Sequence, residues 1–562
     1  MMPRSQALAA LAHEQFDVVV VGGGITGAGV ALDAAARGFS VALVERGDYA
    51  SGTSSRSSKL VHGGLRYLQS FDLGLVREAL LERRLMVELA PHLVRPLPLL
   101  VPAFDGQRPD RMMGAGLSLY DVMSVDRRRG RRRRHDEEDG DGAPRDWSPE
   151  RHRIVDGEEV VRRLPALAAR RPTAGYLFYD CQTDDARLVL TVLGEAERFG
   201  AVCANRLEVT ELVERGGRAS GVRVRDGESG EFLDVRAASV VNATGVWADR
   251  LRPEELHDEA ELPRIRPSRG THITLPRELL ELNDGAVVPA GDGRSIFALP
   301  WLGATLIGTT DDDHDGALDH VRPQASDIAY LLAATNAYFA TDLGPSDLSG
   351  AFAGVRPLIS TGDARKSVDI SRKAELYETS SGMITITGGK LTTWRRMAKL
   401  VVDRLVEREA RDAPCRTHEI PLGQPVPSEE LPRVSGVAEA AYGHLAGRYG
   451  HVARDVVALA AQAPALAAPI VAGPQPDLLA EAVQAARREQ ARSVGDVLLR
   501  RTRLGLLAAP ALTRDDAVAL RVARAMAPEL GWDAARTRRA AADFLDEAAA
   551  EGIAPQAASV AA

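Results

Sequence analysis

The chain has 562 residues, 45% hydrophobic and 26% charged, with a formal net charge of −8. That composition belongs to a folded globular protein of two to four domains, and the negative balance excludes general affinity for nucleic acid. Three widely spaced cysteines, Cys181, Cys203 and Cys415, make neither a disulfide framework nor a metal knuckle, and they fit a reducing cytosol.

The N-terminal MMPRSQALAALAHEQ holds an apolar run too short for a secretory signal, and a strand is expected from Phe16. FDVVVVGGGITGAGVALDAAARGFSVALVERG, residues 16 to 47, reads strand, glycine turn, helix, strand. Val18 to Val21 is apolar on both faces, as a central parallel strand requires. From Ile25 small and apolar residues keep a helical period to Arg37, Gly38 closes the helix, and Val41 to Val44 forms the next strand. Residues 75 to 90 predict an amphipathic helix that stops before Pro91. The apolar run Pro96 to Phe104 is read as a loop that faces the core or touches a membrane surface. Residues 126 to 142, DRRRGRRRRHDEEDGDG, have no apolar residue to bury and predict a solvated, disordered insertion. Three alternating strands are expected over 207 to 245, and more in THITL, RSIFALP and ATLIGTT between 263 and 310. Beyond about residue 410 the chain becomes rich in Ala, Leu and Arg with helical spacing, as over 477 to 494, which predicts a separate helical domain. Within it, Val456 to Gly473 is broken by Pro464 and Pro469, so a pair of short buried helices is expected rather than a membrane span.

Gly22-x-Gly24-x-x-Gly27 stands between a strand and a helix. Glycines there permit a tight turn and let backbone approach a pyrophosphate, which the helix N-terminus then attracts. Glu45, at the end of the second strand, can accept hydrogen bonds from a ribose diol. This pattern alone does not separate FAD from NAD. Two further small-residue turns follow buried strands: Val240 to Trp247, and Ile384 to Thr393. Several close approaches along the chain suit a long cofactor with a flat tricyclic ring. The crowded stretch SSRSSKLVHGGLRYL, residues 54 to 68, sets polar chemistry among apolar neighbours just after the second strand.

Together with YDCQTDDARL, VNATGVWAD, GTHITL, PWLGATLIGTTD, GVRPL, GGKLTTWRRMA and VLLRRTRLGLL, these stretches resemble the FAD-dependent glycerol-3-phosphate dehydrogenases of the respiratory, quinone-linked type. The resemblance runs from about residue 16 to about residue 510 and omits the arginine-rich insertion. It implies an α/β fold: a Rossmann-like FAD-binding domain of the glutathione-reductase type, an inserted antiparallel-sheet substrate domain, and a C-terminal all-α domain. The FAD-binding domain would comprise residues 14–105, 175–262 and 351–410, with a cap at 106–174, the substrate sheet at 263–350 and the helical domain at 411–562.

The resemblance also implies which residues meet the cofactor. They are Gly22, Gly24, Ile25, Thr26 and Gly27 in the first turn, then Glu45 and Arg46, and Gly245 and Trp247 after the buried strand. Thr53, Ser54, Ser58, Lys59, Leu60, His62, Gly63, Gly64 and Leu65 would lie along the flavin, the serines and Lys59 as donors and the leucines packed inward. Gly388, Gly389, Lys390, Leu391 and Thr392 would close the other side. Arg66 and Tyr67 would face the substrate.

A small phosphate dianion needs fixed positive donors, and arginine's planar fork suits it; Arg356, between Gly354 and Pro357, is the candidate, with a structural salt bridge as the alternative. Oxidising a secondary alcohol also needs a general base; His272 fits by type and by family position, against the alternative of a satisfied core histidine. Lys390 would stabilise reduced flavin or orient the hydroxyl, and Thr309 and Thr310 would add pocket hydroxyls. The implied reaction is glycerol 3-phosphate to dihydroxyacetone phosphate, with non-covalent FAD reoxidised by quinone. The implied location is the inner face of the cytoplasmic membrane, attached peripherally, with no metal involved. An oxygen-using oxidase, an amine or amino-acid oxidase and a non-catalytic flavoprotein are the rival readings. For the helical domain, packing on the catalytic body and homodimer formation both stay open.

Overall fold

Val18 to Val21 lies inside β1 (Gln15–Val21), which is apolar on both faces because both faces are covered. The chain is described by a computed structural model over residues 1–64, 72–106, 109–124, 150–251, 264–360 and 374–554. Leu65, Arg66, Tyr67 and the arginine-rich stretch 126 to 142 lie outside the described residues. β1 pairs in parallel with β2 (Val41–Val44) on one side and β10 (Phe232–Asn242) on the other. β2 continues to β7 (Val202–Ala204), β10 to β18 (Ile384–Gly388), and β17 (Ala374–Glu378) closes that edge antiparallel. β8 (Leu207–Arg215) and β9 (Arg218–Asp226) form the expected meander, joined to the sheet through β10.

The helix Ile25–Ala36 covers one face of this sheet, flanked by the helices Asp185–Arg198 and Trp394–Arg408. Val18, Val20, Leu32, Leu43 and the fully enclosed Trp394 fill the layer between. Gly29 makes that packing close: a Cβ there would come 2.6 Å from the Trp394 ring. A helix at Arg4–His13, which the sequence reading did not anticipate, packs Ala7 and Leu11 on the opposite face, beside Val19 and Leu207.

The second sheet runs β15 (Asp312–Asp313), β11 (Arg264–Pro276), β14 (Ala304–Gly308), β13 (Ser295–Trp301), β12 (Gly285–Pro289), β4 (Arg95–Ala103), β6 (Ala174–Gln182), β3 (Leu60–Val61). β16 (Gly350–Ser360) pairs along β11, and β5 (Arg153–Asp156) along β6. All pairs are antiparallel except β12 with β4. Its core, with Ile273, Leu275 and Ile307, is covered by Leu331 and Phe339 of the helix Ala325–Phe339.

Pro96 to Phe104 is therefore no loop. Residues 95–103 form a strand inside the second sheet, with Leu97, Leu99 and Leu100 buried. Pro96, Pro98 and Pro102 fall on alternate positions, so the donors they lack all point to one side, away from the continuous β6 ladder. Those prolines hide the strand from a sequence reading. The second sheet also draws β3, β4, β6 and β16 from segments expected in the FAD-binding domain, so the chain crosses between the sheets more often than the segment map supposes.

After residue 410 the helices Glu439–Tyr449, Ala453–Gln462, Leu479–Arg488, Ala517–Leu530 and Ala534–Glu551 build two cores of their own. Pro464 starts a further short helix, Pro464–Ala467, so the apolar run from Val456 is folded back as expected. This region docks on the second sheet, where Ala351 donates its N–H to the Ile553 carbonyl at 2.9 Å. Among the described residues no helix is long and apolar enough to cross a membrane.

Candidate functional site

The turn after β1 opens a cleft of about 1300 Å³ at the carboxyl ends of β1, β10 and β18. Gly22 has φ +114°, and a Cβ on it would come 2.6 Å from the Ala243 carbonyl oxygen. A Cβ on Gly27 would overlap the Gly22 carbonyl oxygen, so Gly27 lets the helix start directly under the turn. Gly24, Ile25 and Thr26 line the cleft at that helix N-terminus, where the Ile25 N–H donates to Ser54 Oγ at 2.9 Å. Glu45 is clamped at the rim: Oε2 accepts from the Gly23 N–H at 2.6 Å and Oε1 from the Gly47 N–H at 2.7 Å. Burial pushes its carboxyl above the usual range, and the two N–H groups pull it back. Arg46 stacks 5.1 Å over the Trp247 ring.

The far wall comes from Thr244, Gly245 and Trp247 after β10, and from Thr387, Gly388, Gly389, Lys390 and Leu391 at the end of β18. Gly245, Gly388 and Gly389 have φ of +61°, +76° and +73°, the left-handed region open to glycine. Trp247 Nε1 and Thr387 Oγ1 are buried here with no hydrogen-bond partner among the described residues. Two such orphans on the wall of a long cleft point to a polar ligand that completes them.

A second cleft of about 880 Å³ shares Thr53, Pro357, Gly389, Lys390 and Leu391 with the first. Ser58, Leu60 and His62 line it from the loop after β2, His272 from β11, Arg356 from β16, and Thr392 from the turn after β18. Thr392 Oγ1 bridges the backbone of His62, accepting from its N–H and donating to its carbonyl, both at 3.2 Å. His272 is 2% exposed. Its ring stacks on Phe352 at 4.8 Å, and Nε2 meets Ser58 Oγ at 2.9 Å. Nδ1 has no partner among the described residues. Burial, then the charges of Lys59 and Arg356, hold its pKa well below the usual histidine value, so the ring is neutral.

Arg356 is both a salt-bridged residue and a wall of this cleft. Nη1 donates to Asp311 Oδ1 at 3.2 Å, and Nη2 to Thr309 Oγ1 at 3.1 Å and the Thr310 carbonyl at 3.2 Å. Gly270 lies under it, where a Cβ would overlap Nη2. Thr309 and Thr310 thus hold the arginine.

Lys59 is a correction to the expected set of cofactor donors. It is fully buried and lines neither cleft, and its ammonium donates to Asp185 at 2.8 and 2.9 Å and to the Ser55 carbonyl at 2.6 Å. A lysine with no access to solvent takes the nearest carboxylate. Gly63 and Gly64 line neither cleft either. Gly63 donates its N–H to the Tyr120 hydroxyl at 2.9 Å, and a Cβ on it would run 2.5 Å from Leu80. Leu207 and Val209 of β8, in the first cleft, carried no distinctive sequence signal; Arg56, in the second, lies within the crowded stretch 54 to 68 but was not singled out there.

Residues 17–404 match the family of FAD dependent oxidoreductases, and residues 384–537 match the C-terminal domain of alpha-glycerophosphate oxidase. Fold and clefts together therefore define a flavin-dependent oxidoreductase. Glycerol-3-phosphate dehydrogenase 2 of Mycobacterium tuberculosis is 38% identical over 557 residues, covering 98% of this chain and 90% of that protein. The aerobic glycerol-3-phosphate dehydrogenase of Bacillus subtilis is 36% identical over 428 residues, 75% of this chain and 73% of its own. The crystal structure of glycerol-3-phosphate dehydrogenase from Bacillus halodurans complexed with FAD superposes with a TM-score of 0.76 at 28% identity, over 97% of both chains. The chain belongs to the FAD-dependent glycerol-3-phosphate dehydrogenase family, and its cofactor is FAD.

Proposed function

We propose that the protein oxidises sn-glycerol 3-phosphate to dihydroxyacetone phosphate and passes the electrons to a quinone. The observation that carries this reading is the meeting of Arg356, Lys390 and a neutral His272 in one cleft that opens beside the dinucleotide cleft. Two cations suit a phosphate dianion, and a neutral imidazole suits a hydroxyl that must lose its proton. Arg356 is locked by Asp311, Thr309 and Thr310, so its charge is in place before the phosphate arrives. His272 takes the alcohol proton as a neutral imidazole whose Nε2 meets the Ser58 hydroxyl and whose Nδ1 has no partner among the described residues. Lys390, at the mouth of both clefts, neutralises charge that develops between them. Bound FAD would supply the hydride acceptor. The first turn and Glu45 would hold its pyrophosphate and ribose, and the turns at Gly245 and Gly388–Leu391 would hold its ring.

Quinone rather than oxygen is proposed because the relatives that match over most of the chain carry the name dehydrogenase. The proposed membrane contact is peripheral. Met112, Leu119 and Val122, exposed by 79%, 40% and 62%, share one face of the helix Arg111–Ser124. Anaerobic mixing with glycerol 3-phosphate tests the core of the reading. Bleaching of the flavin by this substrate and not by sarcosine supports it; no bleaching, or bleaching by the amine alone, refutes it. Stoichiometric peroxide at full rate in air would replace the quinone with oxygen. Protein that stays in the supernatant when anionic vesicles are pelleted would remove the membrane contact.

A further inference from the structure

Two of the motifs carry buried charge that neither cleft uses. YDCQTDDARL holds Asp185, the first residue of the helix Asp185–Arg198, and VLLRRTRLGLL holds Arg503, just after the π-helical turn Asp496–Arg501 of the helical region. They lie more than 300 residues apart and meet: Arg503 Nη2 donates to Asp185 Oδ1 at 3.2 Å and to the Ser55 carbonyl at 2.7 Å. Arg503 is 1% exposed, and Asp185 and Lys59 are fully enclosed.

Asp185 spends its oxygens on the loop that carries Ser58. Oδ2 accepts from the Ser57 N–H at 3.0 Å and from Ser57 Oγ at 2.7 Å, and both oxygens accept from Lys59 Nζ. Ser57 Oγ in turn accepts from the Lys59 N–H at 3.1 Å. The residues on either side of Ser58 are therefore bound to one carboxylate, and Ser58 itself points its hydroxyl at His272 Nε2. Lys59 has φ +61°, a left-handed conformation that costs a lysine energy and persists only where its surroundings impose it. Behind the imidazole the same network recurs. Lys59 Nζ sits 4.7 Å over the ring of Phe352, the ring on which His272 stacks.

We propose that Arg503, supplied by the C-terminal helical region, is a positioning residue for His272, acting through Asp185 and the Ser57–Lys59 loop. The helical region is then part of the catalytic apparatus, because without it the carboxylate that aims Ser58 would hold one cation instead of two. A buried ion pair is poor evidence for stability, since desolvation offsets much of its attraction, and its best-attested use is to specify an arrangement. Arg503 and Lys59 converge on Asp185, whose carboxylate binds Ser57 and Lys59, the two neighbours of the residue that touches the candidate base. The proposal rests on the reading of His272 as that base.

The groups that surround His272 decide the sign of its response. Lys59 from the loop and Arg356 from β16 both disfavour its protonation, whereas Gly308 of β14 and Phe352 of β16 contribute no charge. Arg56, His62 and Lys390 line the same cleft. Arg503 helps hold the Lys59 pKa down to about 7, so loss of the Arg503 cation leaves Lys59 more fully charged and moves His272 further below the ordinary histidine value.

The test uses the FAD-loaded full chain with Arg503→Gln, Arg503→Lys and Ser57→Ala. Two readouts are taken: kcat and KM for glycerol 3-phosphate, and the titration of the His272 ring by NMR of histidine-labelled protein, assigned by its disappearance in His272→Asn. Arg503→Gln is expected to lower kcat about tenfold or more at unchanged flavin content, with KM within about threefold, because orientation rather than binding is lost. Its His272 midpoint is expected to fall by about half a pH unit or more, because Lys59 then carries its full charge. Arg503→Lys recovers part of both, and Ser57→Ala moves both in the same direction by less. Parental kcat per flavin and parental His272 titration in Arg503→Gln overturn the proposal. Should that variant fail to fold, Ser57→Ala decides by the same two criteria. If the parent enzyme itself is not reduced by glycerol 3-phosphate, the proposed function has failed, and the ring titration alone still tests the positioning.

Discussion

Replacing Arg356 separates the two roles the structure gives it. Its guanidinium is held by Asp311, Thr309 and Thr310, and it forms part of the wall of the second cleft. Arg356→Ala removes a charged donor from the proposed phosphate position, a hydrogen bond to a charged group worth about 1.5–3 kcal/mol. That converts to a fall of about 10- to 150-fold in kcat/KM, expected mainly in KM, because the anionic end of the substrate is bound alike in ground and transition states. The same change removes one ion-pair partner of Asp311, whose side chain is 7% exposed and which keeps its bond from Ser268, at a cost of about 1–3 kcal/mol in stability. Arg356→Lys keeps the charge and loses the fork that spans Asp311 and Thr309, so it falls between the two. Steady-state kinetics against glycerol 3-phosphate and thermal unfolding of the same samples measure both effects. FAD content serves as the control, since Arg356 does not line the dinucleotide cleft. A change in KM below about threefold alongside a clear loss of stability would leave Arg356 a salt bridge only, and the phosphate would have to be held elsewhere.

Gly27→Ala places a Cβ against the Gly22 carbonyl oxygen, so this variant is expected to elute from gel filtration without yellow colour and to unfold at lower temperature. The fold lowers the pKa of His272, the proposed base, so it stays deprotonated as pH falls past the ordinary histidine value of about 6.5; the acid limb of kcat/KM is expected below that value, and a limb at or above it would contradict the buried, neutral ring. Thiol titration of native protein is expected to find at most Cys415 reactive. Cys181 and Cys203 are buried, and burial pushes the Cys181 thiol up to about 12; all three should react after denaturation.

Local chemistry made much of the dinucleotide half readable in advance. Glycines at 22, 24 and 27, a run of valines and a carboxylate at 45 must fall on one strand–turn–helix–strand unit, because spacing alone sets their relation. His272 and Arg356 were legible only as residue types in motifs. Their meeting depends on β11 pairing with β16, a register that brings Phe352 opposite His272. The strand at 95–103 was missed because its alternate prolines imitate a loop, and only the β6 ladder shows that their absent donors do no harm.

Lys59 marks the boundary most clearly. By composition it was one more polar residue in a stretch that runs beside a cofactor. Its real partner, Asp185, lies 126 positions further along, and Arg503, which shares that carboxylate, lies 444 positions along; no pattern in the sequence brings them together. The amino-acid order determined the elements, their apolar faces and the kinds of side chain available for chemistry, since these follow from neighbours in the chain. Which charge faces which, and which cation stays buried, was decided only when the sheets and the helical region closed around them and removed the water that would otherwise have served each group alone.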